Sequence, residues 1–202
     1  MKFLLIRHGE TDWNKTGRIQ GSQDICLNEI GIEQAREVAE KLLALRLERP
    51  RLFTSKQQRA KQTAEVLEQC LGTSLNIVEG LQEVNFGKWE GKSWAQVQAD
   101  YPADYQQWFL HRRHTRPLDG ESYQDMLDRL SSALIEIAGH DSSTAIIVTH
   151  SAVIMSLKCI LTDTDFSEMT KFKTGNTEIV EVDSGSLMSR LRENSSTFVN
   201  LG

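Results

Sequence analysis

Cysteine, proline and long apolar runs are all scarce in this sequence. The 202-residue chain has three widely spaced cysteines, Cys26, Cys70 and Cys159, and no Cys-x-x-Cys pair. This pattern argues against a disulfide framework or a zinc site, and it predicts a reduced, cytoplasmic chain. No apolar run is long enough to span a membrane, and the stretch before Arg7 is too short for a signal peptide. With only three prolines and no repeat or linker, we expect residues 1–202 to form one domain.

Positively charged residues are also outnumbered, with 23 Lys and Arg against 28 Asp and Glu. The formal net charge is -5, which argues against a general nucleic-acid binder or a membrane-surface protein. An anionic substrate would therefore need a local basic pocket. The five histidines include no His-Glu-x-x-His motif, so we expect no metal and no other cofactor. The sequence leaves both a monomer and a homodimer open.

Two strongly apolar segments each run into a histidine. Residues 3–6 and 145–149 are predicted to be buried strands, and they lead to His8 and His150. The carboxyl ends of neighbouring parallel strands meet at one crevice in an open α/β sheet, so both imidazoles are expected there. Arg7 offers a fork of donors that matches a phosphate, and His8 can act as a nucleophile or proton carrier. The alternative is a strand-end histidine that only bonds a loop.

Apolar periodicity and capping residues predict the remaining elements. Helices are expected from Asn28 to about Leu45, Ser55 to Leu71, Pro102 to Trp108, Ser122 to Ala138 and Ser151 to Leu161, with a short helix after Ser93. Further strands are expected at residues 52–54, 75–78, 177–182 and 187–191, the last two joined by a turn at residues 183–186. Helices that alternate with strands predict a three-layer α/β/α sandwich. Its sheet is mainly parallel, and the closing hairpin adds an antiparallel edge.

A series of short motifs resembles the histidine phosphatase superfamily, which includes the phosphoglycerate mutases. The motifs occur in the family order at residues 7–11, 14, 18–21, 31–35, 55–64, 81–83, 86–91, 120–122 and 148–150. Each motif alone is weak, but together they cover nearly the whole chain. The resemblance implies a phosphoglycerate mutase-like fold and phosphoryl transfer through a histidine.

The resemblance also implies a role for each matching residue. His8 corresponds to the nucleophile that forms a phosphohistidine, and Glu83 to the proton donor, with Glu10 or Glu90 as the next candidates. The remaining residues would bind phosphate or substrate: Arg7, Arg59, His150, Asn14, Gln20, Gly21 and Ser151. By their own chemistry alone, several have ordinary alternatives. Arg59 could be a solvated helix arginine, Glu83 a surface acid, Gln20 a turn residue and His150 a core histidine.

The chain departs from the family pattern at two places. The family usually has Pro-Leu after Ser55, where this chain has Lys56-Gln57, which could bring a charge to the pocket rim. The family favours glycine after the second histidine, where this chain has Ser151. Ser151 is expected to cap the following helix, and its hydroxyl would either hydrogen-bond the phosphate or narrow the site.

The chain length and the segment after Glu83 resemble the phosphatase branch. We therefore predict a phosphomonoesterase for a small phosphorylated metabolite, of the α-ribazole phosphatase-like or broad-specificity type. Phosphoglycerate mutase that depends on 2,3-bisphosphoglycerate is the alternative, since Arg112 and Arg113 resemble the arginine pair that holds the substrate carboxylate in mutases. These two arginines are predicted to face the crevice, although the simpler explanation is a solvated basic loop. A non-catalytic phosphate-binding protein is a third reading, and the intact proton donor argues against it.

Overall fold

The computed structural model describes residues 1–194, and a five-stranded sheet lies at its centre. The strands are β1 (Lys2–Arg7), β2 (Arg51–Thr54), β3 (Leu75–Ile77), β4 (Thr144–Thr149) and β5 (Ile179–Asp183). Their order across the sheet is β3-β2-β4-β1-β5. All neighbours are parallel except β1 and β5, which are antiparallel. The predicted mainly parallel sheet with an antiparallel edge is confirmed.

Helices cover both faces of this sheet. They are α1 (Asp12–Lys15), α2 (Glu29–Ala44), α3 (Gln58–Leu71), α4 (Trp94–Asp100), α5 (Pro102–Leu110), α6 (Tyr123–Ala138), α7 (Ser151–Thr162) and α8 (Ser184–Asn194). Phe3 and Leu5 of β1 join one apolar cluster, which includes residues of α6, α7 and α8. Leu4 and Ile6 join a second cluster, which includes residues of α2 and α3. Because alternate side chains of one strand enter different clusters, the molecule has the predicted three layers.

Three of the predicted helix caps are confirmed. The side chains of Asn28, Ser93 and Ser122 each accept a hydrogen bond from a backbone N–H in the first turn of α2, α4 and α6. The predicted caps at Ser55 and Ser151 are wrong. Helix α3 begins after Gln57, and α7 begins after His150, so Ser151 is the first helical residue. Within residues 1–194, no helix has the length and apolar character needed to cross a membrane.

The predicted final strand at residues 187–191 is wrong, because these residues belong to α8. Asp183 starts this helix: its Oδ1 accepts hydrogen bonds from the N–H and the hydroxyl of Ser186. Leu187 and Leu191, four positions apart, are buried on the same face of α8. The antiparallel edge of the sheet is therefore β5 itself, paired with β1, and not a closing hairpin.

Three short elements were not predicted. Helix α1 follows the first histidine motif and has only four residues. A 3-10 helix spans Phe166–Phe172 after α7. A third short element, the 3-10 helix Gly87–Trp89, interrupts a segment that was predicted to be a loop. Elements of this length carry too little periodicity to be recognised in a sequence.

Candidate active site

The two histidines lie at the same edge of the sheet. Strands β1 and β4 are parallel neighbours, with Arg7 paired to Thr149, so His8 and His150 follow at equivalent positions. Their ring centroids are 5.3 Å apart, and both residues are almost completely buried. The expectation that the strand ends bring both imidazoles together is confirmed.

The tautomer of His8 is determined by a backbone contact. Its Nδ1 lies 2.7 Å from the carbonyl oxygen of Gly9. A carbonyl oxygen only accepts hydrogen bonds, so Nδ1 carries the proton and Nε2 keeps its lone pair. Burial lowers the pKa of His8 well below its ordinary value, and the nearby charges of Arg59 and Arg7 lower it further. The imidazole is therefore neutral at pH 7 and has a free nitrogen.

Gly9, which follows His8, lies in a tightly packed turn. A Cβ at this position would collide with the carbonyl group of Gly31, in the first turn of α2. Glycine therefore lets two backbone segments approach closely beside His8. The Gly9 N–H also donates to the hydroxyl of Thr63 at 3.0 Å, which ties this turn to α3.

Arg59 is fully buried in the first turn of α3. Its Nη1 donates to the carbonyl of Gln23 at 2.7 Å, and its Nη2 donates to the carbonyl of Gly21 at 2.8 Å. Burial lowers the pKa of Arg59 to about 10, against an opposing effect of Glu83. The guanidinium thus stays charged at neutral pH, and its Nε has no hydrogen-bond partner among residues 1–194.

Arg7 is a second cation that lines the cavity, and it is only partly buried. Its Nη1 donates to the carbonyl of Thr174 at 2.7 Å, and its Nε has no partner in the described chain. Burial lowers the pKa of Arg7, while Glu83 and Glu178 act in the opposite direction. Buried N–H groups without partners are rare in proteins, so those of Arg7 and Arg59 indicate a site for an acceptor such as a phosphate oxygen.

Glu83 is the only acidic side chain that lines this crevice within residues 1–194. Its carboxylate accepts hydrogen bonds from the N–H groups of Val84 (3.1 Å) and Ala152 (3.2 Å). Burial raises the pKa of Glu83, although Arg59 and these two hydrogen bonds oppose the rise. The next candidates for the acid are engaged elsewhere: Glu10 bonds Asn28, and Glu90 bonds Ser22 and Gln23.

The crevice is a cavity of about 440 Å³. The sequence-predicted residues that line it are Arg7, His8, Asn14, Gln20, Gly21, Arg59, Glu83, Ser151 and Arg112. His150 does not line the cavity; its Nε2 bonds the Ser55 hydroxyl at 2.9 Å. Its pKa is lowered by burial and by Arg59, so His150 is neutral beside the nucleophile. The cavity is also lined by aromatic side chains, which form an aromatic wall: Phe86, Trp94, Tyr105, Trp108 and Phe109.

The neighbouring arginines of the basic loop point in different directions. Arg112 is buried and lines the cavity, with its guanidinium carbon 4.5 Å from the ring centroid of Trp108. Its Nε has no partner among the described residues. Arg113 lines a separate cleft instead, and it donates to the Gln124 side chain and the Asn194 carbonyl. The prediction that Arg113 faces the crevice is therefore wrong, because these contacts hold it on the far side of the loop.

Several residues at the site had not been predicted. The side chain of Asn176 donates to the carbonyl of His8 at 2.9 Å, and Thr63 holds Gly9. Gln57 contacts both Gly21 and Glu83. The charge expected from Lys56 at the rim is absent, because Lys56 is exposed and pairs with Glu79. Only the departure from the family pattern at Lys56-Gln57 marked this segment in the sequence.

Among residues 1–194, no group of three or more His, Cys, Asp or Glu side chains is placed to hold a metal ion.

Comparison with known proteins identifies the family. The sequence pattern of the histidine phosphatase superfamily (branch 1) matches residues 3–193. This chain belongs to the histidine phosphatase superfamily. A metal-independent phosphoserine phosphatase of Arabidopsis thaliana is 36% identical over 160 residues, which cover 77% of this chain and 66% of that protein. The match therefore spans slightly less than two thirds of the length of the plant protein.

Solved structures show the same fold. A mycobacterial glucosyl-3-phosphoglycerate phosphatase in complex with VO3 superposes with a TM-score of 0.78 at 28% identity, covering 90% of each chain. The α-ribazole phosphatase of Shigella flexneri superposes with a TM-score of 0.78 at 26% identity, covering 91% of this chain and 90% of that one. Proteins with phosphoglycerate mutase names also match. The relatives support a phosphoric monoester hydrolase, as predicted, and they give less support to the mutase alternative.

Proposed function

We propose that this chain hydrolyses a small phosphorylated metabolite through a phosphohistidine at His8, without a metal. The observation that carries the proposal is the neutral imidazole of His8, which has a free Nε2. It lines one cavity together with the guanidinium groups of Arg7 and Arg59 and the carboxyl group of Glu83. The whole chain acts as one catalytic domain. Cys26 and Cys70 are free, exposed thiols, which supports a cytoplasmic location, and either a monomer or a homodimer is compatible with this chemistry.

In the first step, the lone pair of Nε2 attacks the phosphorus and the bond from phosphorus to the ester oxygen breaks. Arg7 and Arg59 stabilise the charge on the transferring phosphoryl oxygens. The proton of Glu83 passes to the leaving alcohol, which suits a carboxyl group whose pKa is raised by burial. His150, which is neutral and packs against His8 outside the cavity lining, would support the nucleophile, while Asn14, Gln20, Gly21 and Ser151 line the cavity and would contact the phosphate.

In the second step, Glu83 takes a proton from water. The resulting nucleophile attacks the phosphorus of the phosphohistidine, and the bond from phosphorus to nitrogen breaks. Inorganic phosphate leaves, and His8 regains the lone pair on Nε2. A non-catalytic binding protein would need neither the free Nε2 nor a carboxyl group with a raised pKa, so the site favours catalysis.

Arg112 and the aromatic wall supply information on the alcohol part of the substrate. A buried cation that lines the cavity favours a second anionic group, such as a carboxylate, at a distance from the phosphate. The aromatic side chains around it favour contact with the carbon skeleton of the substrate. We therefore propose a phosphate ester that also carries a carboxylate or a second phosphate.

The test is a quenched reaction with a phosphate ester labelled in the phosphate. An acid-labile label on His8 is expected, together with release of inorganic phosphate. His8→Ala should abolish turnover, whereas His114→Ala, at an exposed histidine, should not. Label on a serine, or full activity of His8→Ala, would contradict the proposal. Transfer of the phosphoryl group between positions of phosphoglycerate, dependent on bisphosphoglycerate and faster than hydrolysis, would favour the mutase instead.

A further inference from the structure

Gln57 is a buried polar side chain between two loops of the active site. It precedes α3, and 6% of its surface is exposed. Its Nε2 donates to the carbonyl of Gly21 at 2.8 Å, and its Oε1 accepts from the N–H of Glu83 at 2.8 Å. Only one orientation of the amide satisfies both contacts, because a carbonyl cannot donate and an N–H cannot accept. The orientation of this side chain is therefore fully determined.

Both contacts lead to groups that take part in the proposed reaction. The carbonyl of Gly21 also accepts from Nη2 of Arg59, so Gln57 and Arg59 hold the same backbone atom. The residue bonded at the other end is Glu83, the proposed proton donor. One amide thus joins the loop that orients the phosphate-binding arginine to the loop that carries the acid.

Glu83 depends on side-chain contacts for its position, because it belongs to neither a helix nor a strand. Arg129 donates to the carbonyls of Gly80, Gln82 and Glu83, which fixes this loop from one side. Gln57 binds the N–H of Glu83 and fixes it from the other. A proton donor must lie within hydrogen-bond reach of the leaving oxygen, and an error of a fraction of an ångström reduces its efficiency.

We propose that Gln57 is a positioning residue that holds Glu83 at the correct distance from the phosphoryl group bound by Arg59. The proposal rests on the proposed role of Glu83 as proton donor. Gln57 does not line the cavity, so its effect would be transmitted through the backbone of Glu83. Leucine at this position would fill a similar volume but would leave the N–H of Glu83 without its partner.

The experiment compares two substrates in four proteins. Propyl phosphate has a poor leaving group that needs a proton, whereas p-nitrophenyl phosphate has a good one that does not. The proteins are the wild type, Gln57→Leu, Glu83→Gln and the control Gln62→Leu. Gln62 lies on the same helix and also accepts a hydrogen bond from a loop N–H, that of Leu27 at 2.8 Å, but it contacts neither Gly21 nor Glu83.

In Gln57→Leu, we expect kcat for propyl phosphate to fall about tenfold, a part of the roughly 10²- to 10⁴-fold effect of a general acid. Its KM should stay unchanged, and kcat/KM for p-nitrophenyl phosphate, which reports only the first step, should change little. Gln62→Leu should treat both substrates alike. If Gln57→Leu lowers kcat/KM equally for both substrates, or for neither, the proposal is wrong. If Gln57→Leu does not fold, Gln57→Met, with an unbranched chain of similar length, makes the same comparison.

Glu83→Gln separates failure of this proposal from failure of the proposed function. If Glu83→Gln slows propyl phosphate selectively but Gln57→Leu does not, Gln57 has no positioning role and the acid assignment stands. If Glu83→Gln shows no selectivity, the acid assignment itself is wrong, and the Gln57 proposal falls with it. If the wild type hydrolyses neither ester, the proposed function fails for these substrates, and the Gln57 proposal is overturned because it requires that hydrolysis.

Discussion

Replacement of Arg112 should weaken the binding of one class of substrate and leave the binding of another unaffected. Arg112 is buried against Trp108 and Phe109 and lines the cavity that contains His8. A hydrogen bond to a charged group contributes about 1.5–3 kcal/mol, and about 1.4 kcal/mol corresponds to a factor of ten. For a substrate whose carboxylate binds Arg112, Arg112→Met should therefore raise KM by roughly 10- to 150-fold. Methionine keeps the packing against the aromatic rings and removes only the charge and its donors.

The assay needs two esters that share the same reacting part. Propyl phosphate and 3-phosphooxypropionate differ only at the far end, where one has a methyl group and the other a carboxylate. Arg112→Met should affect only the carboxylate ester. Arg113→Met is the matched control, because the adjacent arginine lies outside the cavity and bonds Gln124 and Asn194. Equal effects on both esters, or equal effects of the two variants, would refute the assignment of an anion-binding role to Arg112.

Three further predictions follow from the site. Excess chelator should leave phosphatase activity unchanged, and a loss that a divalent ion restores would contradict the metal-free mechanism. In phosphate-free buffer, the free energy of unfolding should fall as the pH drops below about 6.5, because the unfolded chain binds protons there that buried His8 and His150 do not bind. The slope is up to about 1.4 kcal/mol per pH unit for each of the two histidines, and His150→Asn should reduce it; an unchanged slope would contradict the assignment. Gly9→Ala should lower both the melting temperature and kcat, because its Cβ would collide with the carbonyl of Gly31, whereas Gly17→Ala, in an open position, should leave kcat unchanged.

The sequence predicted best those parts of the fold that are marked by a pattern within one short segment, such as an apolar run. The apolar runs of β1 and β4 are buried on both faces, so they read as central strands and locate both histidines at their ends. The final helix was misread because Asp183 and Ser186 are common in turns and in helix caps alike. The spacing of four residues between Leu187 and Leu191 was the signal that favoured a helix.

The parts of the site that the sequence did not predict depend on contacts between distant segments. From the sequence, Arg59 resembles a solvated helix arginine. Its actual surroundings include the carbonyls of Gly21 and Gln23, which lie more than 35 positions away in the chain and leave no local signal. The opposite directions of Arg112 and Arg113 are likewise determined by partners elsewhere, the aromatic rings for one and Gln124 and Asn194 for the other. Adjacent residues in an irregular loop have no fixed periodicity from which a direction could be inferred.

The positive charge of the site serves two purposes that require the same geometry. Arg59 and Arg7 lower the pKa of His8, which burial has already reduced, and so keep the lone pair on Nε2 available at neutral pH. Within residues 1–194, the same guanidinium groups have Nε donors without partners, which suits the phosphate binding that we propose. A cation placed to attract the phosphate would therefore also prevent protonation of the proposed nucleophile. Because an arginine remains charged even when burial lowers its pKa to about 10, it can perform both tasks in a buried site, where a lysine would lose its proton more readily.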